Sequence, residues 1–188
     1  MSVRYEEMTA PRFKVESLGG YEQITLRARR NLPLTLFLIA WLGAWAFGAI
    51  SAAKTLTSNF QPFVAFWLVA WLMGGMAAMT MLAWWLSGSE RLRVVGSDLE
   101  ISYRMLGMTK RRLFRGSDIR NLSTHEDQPL GRYSQMSLPF FPGNKSGCLK
   151  FSYGARTIYV GAGYDQAEGQ FILNLLRKRL PATAMTPD

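Results

Sequence analysis

The chain has one histidine, His125, and one cysteine, Cys148. These are the side-chain types that most often carry nucleophilic and metal chemistry. One of each excludes an internal disulfide, a zinc or iron–sulfur set, and bis-histidine haem ligation within the chain. A Cys–His pair can activate a thiolate. Here Cys148 opens an alternating, strand-like stretch and His125 sits in a polar one, so a structural role is expected for both. Glu126 and Asp127 are adjacent carboxylates with no apolar pocket evident around them, which is poor ground for acid–base work. The stretch "GAGYD" at 161–165 lacks the lysine and the spacing of a phosphate-cradling loop. Met73, Met76, Met79 and Met81 could offer thioethers to copper(I), but no Cys or His joins them, and packing is the expected role. No catalytic residue, metal or cofactor is expected.

Charge is the next resource. The formal net charge is +9, with basic clusters at 110–115 ("KRRLFR") and 177–179 ("RKR"). The remaining basic residues are dispersed among acidic ones, which is not the footprint of a nucleic-acid-binding protein. Arg29 and Arg30 precede a long apolar stretch, and together with Lys110, Arg111 and Arg112 they are candidate contacts for anionic lipid headgroups.

Two apolar segments must position everything else. Pro33 to Ala53 is 21 residues, and Pro62 to Leu86 is 25, without an ionisable side chain in either. A helix of about 20 residues covers the roughly 30 Å of a bilayer's hydrocarbon core. The first segment begins too far into the chain for a secretory signal, and neither carries the polar stripe of a soluble helix. A transmembrane hairpin is therefore predicted, with spans at 33–53 and 62–86 and a short connection at 54–61. Six Lys/Arg precede the first span, fifteen follow residue 86, and Lys54 alone lies between the spans. The positive-inside rule then puts both termini in the cytoplasm and the short connection outside.

Helices in a bilayer associate by close packing, which small residues at a spacing of four allow. Ala40, Ala44 and Gly48 form one such stripe and Ala70, Gly74 and Ala78 another, in matching antiparallel register. All six tryptophans lie in these segments. A deep indole must satisfy its N–H. Trp41, Trp45, Trp67 and Trp71 therefore either pack inside the hairpin on a backbone or hydroxyl acceptor, or face a partner subunit or a bound lipid, quinone or pigment. If the small-residue stripes meet, Trp41 and Trp45 point away from the second span, because one residue turns a helix by about 100°.

Outside the apolar segments the periodicity is two. Phe13 with Val15, and Ile24 with Leu26 and Ala28, flank a Leu18-Gly19-Gly20 turn, so residues 1–32 are expected to form a cytoplasmic β-hairpin. After residue 86 alternation recurs in "RLRVV", "LEISYRM", "TKRRLFR", "DIRNL", "CLKFSY" and "RTIYVG". Asp165 and Glu168 then make a capping-box pattern before a helix, with Ala167, Phe171, Leu175 and Leu176 as its apolar face. The long stretch 123–147 interrupts the strands and holds Phe140 and Phe141, candidate contacts for a partner.

The stretches "LRVVGSDLEISYRMLGMTKRRLFRGSDIRNL" and "LKFSYGARTIYVGAGYDQAEGQFILNLL", following two apolar segments, resemble the bacterial pleckstrin-homology-like (PH-like) membrane proteins. The resemblance covers roughly residues 90–180 and rests on pattern, including a basic strand that leads to Asp118-Ile119. It implies a small antiparallel β barrel or sheet at 87–188, capped by a C-terminal helix, with no catalytic residue. The preceding hairpin and the insertion at 123–147 depart from the family pattern; the hairpin is a candidate to complete the same sheet. The function expected from all this is a non-catalytic accessory subunit or assembly factor of an integral membrane protein complex. The alternative is a membrane-anchored signalling or lipid-sensing module that recruits a soluble partner.

Overall fold

The computed structural model describes residues 12–18, 21–28, 31–125 and 146–186. The chain divides into two compact units, one of β-strands with the C-terminal helix, the other built on two long helices.

The helical unit contains α1 (Leu32–Ser58) and α2 (Pro62–Ser87). α1 runs past its charge-free segment through Lys54, whereas α2 carries no charged residue along its length. Asn31 caps α1 by accepting from the Leu34 N–H at 3.3 Å, and a proline opens each helix where an unpaired N–H would be lost anyway. The expected connection at 54–61 is mostly helical: α1 continues through Lys54 to Ser58, leaving 59–61 as the link. No glycine or proline interrupts that stretch. The hydroxyls of Thr55 and Ser58 donate to carbonyls one turn back, at Ser51 and Lys54.

Among the described residues, the β unit has two antiparallel sheets and no closed barrel. One has five strands in the order β1 (Lys14–Leu18), β2 (Tyr21–Arg27), β3 (Ser89–Val95), β4 (Asp98–Met105) and β5 (Met108–Phe114). The other has three, β6 (Ile119–Thr124), β7 (Leu149–Tyr153) and β8 (Arg156–Val160). The pairing of β2 with β3 puts Ile24 opposite Leu92 and Leu26 opposite Glu90. Strands that lie on either side of both long helices in sequence thus belong to one sheet, whose core contains Ile24, Leu26, Leu92, Leu99 and Ile101.

The C-terminal helix α3 (Gln166–Arg177) starts with the capping box, Asp165 accepting from the Glu168 N–H at 2.8 Å. Its buried face differs from the one expected. Gly169, Ile172, Leu173 and Leu176 are buried, whereas Ala167 and Phe171 are exposed and Leu175 is half-buried. Gly169 decides this. A Cβ there would approach the Cys148 carbonyl to 2.8 Å, so the helix lies against the chain just before β7 on its hydrogen-only side. Phe171 still meets the buried Phe13, the two rings tilted by 47° with centroids 5.5 Å apart. Arg12 binds Glu168 through Nε at 2.9 Å, which ties the segment before β1 to the start of α3.

Candidate functional site

Three places in the described residues combine unusual chemistry with definite geometry. The first is the contact between the long helices. Trp45 Nε1 donates to the Trp71 carbonyl at 3.1 Å, and Trp71 Nε1 donates to the Trp45 carbonyl at 3.2 Å. The two indoles lie nearly parallel, 6° between planes, with centroids 6.4 Å apart. Each N–H–donating ring reaches across to the other helix, so both polar groups are satisfied without water. Gly75 makes room: a Cβ there would overlap the Trp45 ring. Gly48 lies beside Trp71, whose Cζ2 would be 3.5 Å from a Cβ at that position.

This corrects two expectations. The contact is not built on the matched stripes, because Ala40, Ala44, Ala70 and Gly74 are exposed and a Cβ at Gly74 would meet nothing. Of those six residues only Gly48 and Ala78 turn partly inward. Trp45 does not point away from the second helix. The reason is the acceptor: a carbonyl on the neighbouring helix serves the indole N–H, and Gly75, one step round from Gly74, admits the ring. Trp67 stacks on Trp71 at 4.6 Å, and Trp41 and Trp67 face outward at 40% and 39% exposure.

The second place is a buried carboxyl that alternation could have revealed. In "SERLRVV", Glu90 is two residues before Leu92 and shares its face. The structure buries Glu90 to 3% exposure. Its Oε2 accepts from the Gly161 N–H at 2.9 Å, and Oε1 has no hydrogen-bond partner. Gly161 follows β8, so the carboxyl links the five-stranded sheet to the end of the three-stranded one. Gly161 has φ of 77°, and a Cβ there would lie 2.6 Å from Cys148 Sγ. Burial pushes the Glu90 carboxyl up to about 7, against the Gly161 N–H and the Tyr103 hydroxyl, which favour the ionised form. Burial and the Glu90 charge likewise raise the Tyr103 hydroxyl. The group can hold a proton near neutral pH, but it is sealed from solvent and offers no substrate a way in.

The third place is the outer strand β5. Alternation would direct Met108, Lys110, Arg112 and Phe114 toward the core, yet only Phe114 is buried and the rest of the strand is exposed on both faces. Lys110, Arg111 and Arg112 thus stand together on an open sheet edge. Of the other candidates, Arg29, Arg30, Phe140 and Phe141 lie outside the described residues, as do Glu126 and Asp127. Cys148 is buried and His125 packs edge-on against Tyr159 at 5.1 Å, with its backbone N–H on the Cys148 carbonyl at 2.8 Å. Among the described residues no three His, Cys, Asp or Glu side chains gather as a metal site. Compared with known proteins, the chain matches no protein-family model and no curated protein.

Proposed function

We propose that this is a two-pass protein of the bacterial cytoplasmic membrane, both termini cytoplasmic, serving as a non-catalytic accessory subunit or assembly factor of a larger integral membrane complex. Its β unit is read as a PH-like module on the pattern of residues 90–180, although the strands form two open sheets. The membrane part rests on α1 and α2, which are long and apolar enough to cross a bilayer and leave Leu36, Phe37, Phe47, Phe63, Phe66 and Val69 exposed. Such surface is costly in water and natural in lipid.

The observation that carries the partner is Trp41. It lies nine residues into α1, about 14 Å along the axis, and faces outward with no acceptor for its indole N–H among the described residues. Lipid tails offer none, whereas a neighbouring helix or a bound lipid or quinone does. Trp41→Leu is expected to leave the protein inserted and folded while weakening its co-purification with a complex from mild detergent. Wild-type protein that runs alone in detergent, with no co-purifying membrane protein, would refute the subunit reading. The alternative, a membrane-anchored lipid-sensing module that recruits a soluble partner, is favoured by the basic open edge of β5.

A further inference from the structure

Strands β4 and β5 are joined by Leu106-Gly107, both with positive φ, 49° and 82°. A two-residue hairpin of this kind favours Asn, Asp or Gly at its first position, because a branched apolar side chain gains nothing from the left-handed region and is strained there. Leu106 nevertheless occupies it, and its side chain is 63% exposed. Met108 beside it is 66% exposed and Leu113 60%. The fold thus holds an apolar tip in an unfavourable conformation without burying it, the pattern of strain kept for a use other than stability.

Two further observations say what the tip is for. Residues Arg104–Met108 cluster with the long helices rather than with the rest of the sheet, and the Leu106 N–H donates to Ser87 Oγ at 3.0 Å. Ser87 is the last residue of α2, just beyond Trp84 and Trp85. Where α2 spans a bilayer, that end lies at the headgroups, and the tip lies with it. The flanks supply the matching charge: Arg104, Lys110, Arg111, Arg112 and Arg115 are all exposed, and no acidic residue occurs from 104 to 115.

We propose that the β4–β5 tip is a second membrane contact: Leu106 and Met108 enter the interfacial layer while the flanking cations bind anionic headgroups of the same leaflet. This rests on the reading of α1 and α2 as spans and deepens it by adding a lipid contact beside the end of α2. The occupant is a lipid surface rather than a protein, since the tip is anchored at the helix end and the adjoining charge is of one sign.

The test uses the full-length protein in lipid nanodiscs containing phosphatidylglycerol, with a nitroxide label at Met108→Cys and, separately, at Met73→Cys in α2. Collision with a water-soluble relaxant reports depth. The Met73 label is expected to read hydrocarbon. The Met108 label is expected to be several-fold less accessible than a fully water-exposed label. Leu106→Asn, which suits the positive φ, is expected to return the Met108 label to water while the thermal melt holds or rises. A purely structural role for Leu106 would not separate these two readouts.

A water-exposed Met108 label alongside a hydrocarbon-buried Met73 label overturns the tip contact and leaves the spans standing. A water-exposed Met73 label overturns both. Equal protection in purely zwitterionic discs overturns the role of the cations. Protection at Met108 only in native membranes, and not in discs, assigns the tip to a protein neighbour and overturns the proposal.

Discussion

Glu90 and Trp45 show how much a single polar group can constrain its surroundings. A carboxyl whose pKa is higher in the fold than in the unfolded chain binds its proton more tightly when folded. The stability contributed by protonated Glu90 is therefore fully present below its ordinary value of 4.5 and is lost as pH rises through about 7. Glu90→Gln keeps an acceptor for the Gly161 N–H and removes the titration. Its melting temperature should match wild type near pH 5 and exceed it near pH 8. Melts of both proteins across that range check this, and a wild-type profile as flat as the variant's would show that Glu90 does not titrate there. Trp45 makes the corresponding statement inside the helical pair. Trp45→Leu removes one of two reciprocal indole–carbonyl bonds and the ring seated over Gly75. It should loosen the pair itself, lowering the melting temperature in detergent, as should Gly75→Leu by overlap with the indole.

At the scale of elements, the informative pairing is β2 with β3. Leu26 is 2% exposed on a strand that precedes both long helices, opposite Glu90 on the strand that follows them. Leu26→Ala should cost about 2–5 kcal/mol, the range for large-to-small changes in a packed core. Denaturant unfolding of the full chain, followed by a signal from the β unit, measures it. A loss below about 0.5 kcal/mol, the level of an ordinary surface substitution, would place Leu26 outside the cooperative core. For the same reason, a fragment starting at residue 88 lacks β1 and β2 and leaves β3 an unpaired edge, so it should be less stable and more prone to aggregate than the intact protein.

For the whole molecule, the proposed topology makes a definite prediction about sidedness. A cysteine placed at Ser58, the last residue of α1, should react with a membrane-impermeant reagent on intact cells, whereas one at Ser97, in the β3–β4 turn, should react only after lysis. Cys148 is buried and adds little background. The reverse pattern would invert the arrangement and move the β unit, with its basic edge, to the other face of the membrane.

What the chain determined unaided is what short-range pattern encodes. Two charge-free stretches of about 20 residues or more can hardly be anything but long apolar helices. Alternation located every described strand to within a few residues, and Asp165 with Glu168 marked the start of α3, because a cap is satisfied within four residues of chain. Tertiary structure decided which faces meet. One residue step turns a helix by about 100°, so the small-residue stripe and the indole face were equally legible in the sequence. The choice went to Trp45 over Gly75 because an N–H in an apolar setting needs an acceptor, and the Trp71 carbonyl supplies one. Gly169 shifted the buried face of α3 in the same way, through a close approach to Cys148 that no periodicity records. Glu90 shares its strand face with Leu92, but its burial depends on Gly161, 71 residues away. That separation is why local pattern located the strands while only the folded chain showed what the carboxyl meets.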